Sequence, residues 1–307
     1  MKKYSNLIII VLSFITLILV LLNKSLISKT VITSFYIWFN TLVPSMFPMF
    51  ILSDILINYN FTEYIPKKIT KFISKLFNIS TPATLIIILS MITGFPTNAI
   101  NIKNAYDNKT LTKEEAEHLL LFNHFANPLF VLETVGVFYL NNNKYGIIIL
   151  ISHILSNIII GIIFRNKNHN PNDNYISKQN KSQSFSTVLS NSINKTISSL
   201  LMISGTICLF LILSTLITNI FNLNNYTSVL IQGILEMTSG IASLTSLNTS
   251  NTIKVVLSSM IISFGGLSIH LQVYSSLDEK IKYKNYLIGR IYQTIISGTL
   301  SFTIMQF

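Results

Sequence analysis

Residues 82–102 read PATLIIILSMITGFPTNAINI, an apolar run of membrane-spanning length broken near its middle by Gly94-Phe95-Pro96. A single helix needs about 20 consecutive apolar residues to cross the hydrocarbon layer. Here glycine permits a turn and proline withdraws a backbone donor, so an uninterrupted helix is not expected. Within a bilayer, broken backbone persists only where protein or a polar cavity satisfies the freed amides and carbonyls. The stretch therefore predicts a helical hairpin that enters the membrane and returns on the same side. Its tip, Thr93, Gly94, Phe95, Pro96, Thr97 and Asn98, is the densest polar cluster in an apolar setting. A half-helix N-terminus at such a tip is suited to facing a solute.

Working outward, the composition agrees with lipid as solvent: 50% of the 307 residues are hydrophobic and 11% are charged, against about 25% charged in soluble proteins. Mean hydropathy is +0.55. Nine apolar segments stand out, near 7–22, 33–58, 82–102, 119–140, 145–164, 196–221, 228–247, 253–274 and 286–306. The N-terminus resembles a signal peptide, but residues 23–26 offer no small-residue cleavage site, so a retained first span is expected. The single cysteine, Cys208, excludes an intrachain disulfide and is expected to be a buried, inert thiol.

The net charge of +11 would suggest nucleic acid in a soluble domain. Here the lysines gather in loops, such as Lys67, Lys68, Lys71 and Lys75, without interleaved aromatic platforms, which excludes nucleic acid as a partner and points to topology. If all nine segments span, lysines and arginines divide eleven to eleven between the two sides. If segments three and seven are re-entrant, 18 fall on the cytoplasmic side and 4 outside. Loops rich in positive charge remain cytoplasmic, so the second arrangement is preferred.

The expected fold is thus an all-α polytopic membrane protein with about seven transmembrane helices and two re-entrant helical hairpins, arranged as an inverted repeat. Residues 1–30 form an N-terminal transmembrane helix, 31–165 the first repeat, 166–194 a polar cytoplasmic linker and 195–307 the second repeat. Inverted repeats with discontinuous helices are how many secondary carriers place one site near the mid-membrane.

Each half then offers two breaks. The first half adds Asn123 and Asn127 around Pro128. The second offers Glu236, Thr238, Ser239 and Gly240 at its hairpin, and Gly265, Gly266, His270 and Gln272 in its broken span. Ionisable groups at membrane depth are functional candidates, namely Asp54, Glu133, Glu236 and His270. Glu236 stands first, as a carboxylate able to hold a coupling proton or sodium ion. Thr112-Lys113-Glu114-Glu115 fits a helix-starting capping box. Glu114 and His118 share a helical face, but no third ligand accompanies them, so no metal is expected. His124 and His153 read as hydrogen-bonded interior residues. With no phosphate-cradling loop or nucleophile elbow, neither an enzyme nor an ATP-driven pump is expected, and no cofactor is called for.

The stretches Pro44–Phe50, Gly94–Thr97, Asn127–Phe130 and Ser263–Val273 resemble the sporulation integral membrane protein YlbJ family, grouped with nucleoside-recognition, or Gate, proteins. The resemblance covers nearly the whole chain. It implies a carrier related to concentrative nucleoside transporters, placed in the bacterial cytoplasmic membrane and specifically the outer forespore membrane. The implied substrate is dipicolinic acid, a planar dicarboxylate, moved by alternating access during spore formation. A nucleoside or another carboxylate is the alternative cargo, and a non-transporting sporulation protein the alternative role. The chain departs from the family where Asn98 and Ile100 stand in place of glycine and lysine, with Lys103 one turn onward. Expected partners are membrane lipid, the solute and a coupling ion, with oligomeric state left open.

Overall fold

A computed structural model describes residues 2–165, 184–277 and 280–307, so most of the expected linker, including Lys167, Lys178 and Lys181, lies outside the described residues. Every regular element among the described residues is helical. Helix α1 (Lys2–Leu22) is followed by α2 (Lys24–Ile37), which runs through a π-helical turn, Trp38–Leu42, into α3 (Val43–Asn58). Pro44 and Pro48 withdraw two amides from this helix. The Thr41 carbonyl near the disturbance instead accepts from the Ser45 hydroxyl at 3.0 Å and the Thr134 hydroxyl at 3.1 Å.

Two short helices then frame the quoted stretch. Helix α4 (Lys67–Phe77) carries the four lysines expected in a loop, and α5 (Thr81–Thr93) departs from it at 100°. The corner is built locally: Asn78 takes a left-handed φ of 53°, and Ser80 caps α5 by accepting from the Ala83 amide. Helix α6 (Thr97–Asp107) packs back against α5, giving the expected hairpin.

Helix α7 (Lys113–Phe122) begins with the expected capping box between Thr112 and Glu115. The Glu115 carboxylate also takes the Ser80 amide at 2.8 Å, tying the starts of α5 and α7 together. After a break at 123–127 come a π-helical stretch, Phe130–Tyr139, and α8 (Asn143–Ile163). Helix α9 (Phe185–Ile220) starts inside the expected linker, because Ser184 caps it. Then follow the hairpin α10 (Asn225–Leu235) and α11 (Met237–Thr245), the broken pair α12 (Asn251–Phe264) and α13 (Gly266–Ser276), and α14 (Tyr283–Ile304). Long helix, hairpin, broken helix and closing helix thus occur twice in that order.

By length and composition, Lys24–Asn58, Asn143–Ile163, Phe185–Ile220 and Asn251–Ser276 can each cross a membrane, with the bent α4–α5 pair as a fifth candidate. Leu7, Phe14 and Leu21 of α1 are more than half exposed, an outer surface suited to acyl chains. Helix α14 instead buries a polar stripe of Tyr286, Arg290, Gln293, Ser297 and Ser301. Arg290, counted in the sequence among cytoplasmic charges, is 0% exposed. Its removal from the count leaves 17 against 4, so the charge asymmetry survives.

Candidate functional site

The first hairpin turns at Gly94, whose φ of 75° and ψ of 176° suit glycine alone. There the backbone lies hard against the first broken helix: a Cβ on Gly94 would sit 2.5 Å from the Asn127 amide nitrogen. The Phe95 amide donates to the Phe125 carbonyl at 2.8 Å. Asn98 donates to the carbonyls of Asn123 and Phe125 at 3.4 and 3.3 Å. Asn123 in turn donates to Ser90 Oγ at 2.9 Å, and Asn127 Oδ1 accepts from the Phe130 amide at 3.1 Å. Asn98 therefore fastens the tip to the carbonyls of the broken helix, Asn123 ties the break to α5, and Asn127 caps the helical stretch that follows.

The second hairpin breaks at one residue. Glu236 ends α10 and caps α11, its carboxylate accepting from the Thr238 and Ser239 amides at 3.0 and 2.6 Å. The side chain expected to hold a coupling ion is thus engaged as a helix cap at 2% exposure. The hairpin legs cross at Gly240, where a Cβ would meet Gly233 Cα at 2.3 Å. Here too the tip rests on the broken helix: Gly266, with φ of 69°, would place a Cβ 2.9 Å from the Met237 nitrogen. His270 sets that break, with Nε2 2.9 Å from the Phe264 carbonyl and Nδ1 2.5 Å from the Tyr283 hydroxyl.

The two tips meet. Phe95 and Pro96 of the first, with Glu236 and Thr238 of the second and Gln272 of α13, line one small cavity of ≈ 20 Å³, room for about one water. Gln272 Nε2 donates to Thr206 at 2.7 Å, while its buried Oε1 has no partner. Behind Phe95, His124 stacks on the ring at a centroid distance of 4.4 Å. A Cβ on Gly265 would lie 3.3 Å from His124 Nε2, so the two breaks also face each other. His124 Nδ1 is 3.1 Å from the Tyr286 hydroxyl, and His153 Nε2 accepts from the Ala126 amide at 2.9 Å. Both histidines are interior and hydrogen-bonded, as expected. Arg290 donates to the Leu121 carbonyl at 3.1 Å, capping the end of α7, and to Gln293.

Two of the larger cavities border the same helix as the small one. Asn40–Ser45 border a cavity of ≈ 580 Å³ with Glu133 and Thr134. Leu42 and Met46 border the small one. Phe50–Ile57 border the third, of ≈ 560 Å³, together with Thr93 and Thr97 of the first tip. At 1.5 Å per residue, Thr41 and Asp54 are roughly 20 Å apart along the helix. These two cavities therefore lie toward opposite ends of that helix, with the small tip-lined cavity between them.

The ≈ 560 Å³ cavity contains residues the sequence reading left aside: Ser53, Asn101 and Lys195. Asp54, singled out only as an ionisable group, pairs with Lys195 at 3.1 Å and accepts from Ser192 at 2.6 Å, joining α3 to α9. The Thr97, Asn101 and Asn104 spacing of four and three, a polar stripe along one face of α6, was the available signal. Lys103 is ion-paired with Asp107. Among the described residues no three His, Cys, Asp or Glu side chains converge as a metal site. Cys208, expected to be buried, is half-buried.

Residues 39–142 match the family model described as Gate: Nucleoside recognition. The chain is 23% identical over 303 residues, 87% of its length and 74% of the relative's, to the sporulation integral membrane protein YlbJ of Bacillus subtilis (strain 168). No solved structure matches the chain.

Proposed function

We propose that this integral membrane protein, part of which matches the Gate, nucleoside recognition, model, carries a small solute across the membrane by alternating access, with dipicolinate during spore formation as the cargo. The reading includes seven spans, two re-entrant hairpins and an inverted relation between the halves. One observation carries it: tips from both halves line a single narrow cavity, with a solute-sized cavity toward each end of the same helix. Ligand pockets commonly enclose about 300–1,000 Å³, so either outer cavity accommodates a planar dicarboxylate while the central one does not.

Alternating access requires the solute to meet a binding surface from one side and then the other. Parting the tips would join the central cavity to one outer cavity, exposing the open Gln272 Oε1 and the flanks of Phe95 and Thr238. Pressing them together restores the seal. The orientation favoured by the charge asymmetry puts the cavity lined by Asp54 and Lys195 on the cytoplasmic side. Ile100 borders that cavity without charge, and Lys195 supplies the positive group there from α9.

The test is uptake of labelled dipicolinate into vesicles holding the purified protein, across pH and sodium gradients. Accumulation above empty vesicles is expected, and its absence under every gradient rejects the proposal. A second reading, a nucleoside as cargo, is favoured by the description of the matching family model. Uridine uptake in place of dipicolinate uptake would select it.

A further inference from the structure

We propose that Lys195, Asn101 and Ser53 form a carboxylate-binding subsite in the ≈ 560 Å³ cavity beside Thr93 and Thr97 of the first tip, where an aromatic carboxylate docks before it reaches the small cavity between the two tips. The assignment deepens the carrier reading and rests on it.

The argument is a census of donors and acceptors. Ser53 is 3% exposed, and its hydroxyl has no partner. Asn101 Nδ2 is likewise buried and unpartnered. Both residues border the same cavity, and a buried polar group without a partner is costly unless something completes it. Lys195 adds an ammonium with three donors, of which the geometry commits one to Asp54.

The Asp54 carboxylate is largely committed within the protein. Its Oδ2 already takes Ser192 at 2.6 Å and Asn58 at 3.0 Å, and its Oδ1 takes Lys195 at 3.1 Å. The open Asn101 amide nitrogen, the open Ser53 hydroxyl and the remaining donors of Lys195 together suit an acceptor-rich ligand. Phe50, Ile57 and Ile100 supply apolar wall, which suits the face of a ring. A carboxylate with an aromatic body satisfies both requirements, whereas a cation would find the lining carboxylate, Asp54, already paired with Lys195.

The experiment is equilibrium binding of pyridine-2,6-dicarboxylate to the full chain in nanodiscs, read by calorimetry. Lys195→Gln is expected to raise Kd about tenfold, the scale of losing one charge-assisted hydrogen bond. Asp54→Asn frees the lysine and leaves Kd unchanged or lower. The double variant Asp54→Asn/Lys195→Gln removes the ion pair from both sides and still binds about tenfold more weakly. Asn101→Ala weakens binding a few-fold without touching that pair. If Asp54→Asn weakens binding as much as Lys195→Gln, the lysine serves only the ion pair and the proposal falls. It falls equally if the double variant binds as wild type, or if no saturable binding is found. Binding is read here without transport, so the two readings fail separately. Absent uptake with this pattern intact rejects the carrier reading alone, and uptake indifferent to Lys195 rejects the subsite alone.

Discussion

Replacing Gly94 with alanine tests the architecture at its tightest point. The residue holds φ 75° and ψ 176°, a region essentially restricted to glycine, and forcing a side chain into it costs about 1–3 kcal/mol. The added Cβ would stand 2.5 Å from the Asn127 nitrogen, 2.8 Å from its Cα and 2.9 Å from its Cβ. Relief requires moving backbone, because two of the three atoms belong to the main chain. That main chain is held by the Phe95 amide on the Phe125 carbonyl at 2.8 Å and the Asn127 cap on Phe130 at 3.1 Å. Overpacking against a held neighbour adds about 1–3 kcal/mol, so the expected loss is about 2–6 kcal/mol. Gly205 is the control: a Cβ there meets nothing within 4 Å, and alanine in a helix is favoured by about 1 kcal/mol. Thermal unfolding in detergent, followed by the fraction of monodisperse protein remaining, compares the two. Gly94→Ala melting with wild type, or Gly205→Ala falling equally far, would refute the close contact between tip and broken helix.

Three further outcomes are expected. Glu115→Ala leaves the Ser80 amide, now 2.8 Å from the carboxylate, without that partner, and lowers stability by about 1–3 kcal/mol; a wild-type melting curve would contradict this. Glu236→Ala removes the acceptor for two amides of α11 and costs about 0.5–2 kcal/mol, while Glu236→Gln keeps one side-chain oxygen and recovers part of the loss. A glutamine variant less stable than the alanine one would argue that the charge, rather than the cap, matters at this position. On a Cys208→Ala background, single cysteines at Lys68 and Lys109, on either side of residues 82–102, should label from the same face of the membrane with an impermeant maleimide, and labelling from opposite faces would overturn the re-entrant hairpin.

Breaks were legible because their cause is local. Gly94 with Pro96, the Asn127-Pro128 pair, Glu236 and Gly265-Gly266 each disrupt a helix through their own backbone chemistry, and each does so in the structure. The capping box at Thr112 was legible for the same reason. The 100° corner between α4 and α5 was missed because its lysine-rich helix reads as loop when only charge is counted. Arg290 was misread as a loop charge because its burial depends on Leu121 and Gln293, one of them 169 positions away.

The candidate site divides along the same line. Residues whose role is set by breaking the chain, at the two tips, were named from the sequence, and the structure brings Phe95 and Pro96 together with Glu236 and Thr238 in one cavity. The tasks of Asn98, Asn123, Asn127 and His270 as fasteners became visible only with their partners in place. Lys195, Ser53 and Asn101 come from three helices, and their shared cavity exists only once α3, α6 and α9 pack.

Composition alone determined that this chain lives in lipid and where its helices break, because hydropathy, glycine and proline act within a few residues of themselves. Tertiary structure alone decided which polar groups are satisfied and which are left open. In a bilayer interior a hydrogen-bond donor has no water to fall back on, so its role is set by whichever distant carbonyl or carboxylate the packing delivers.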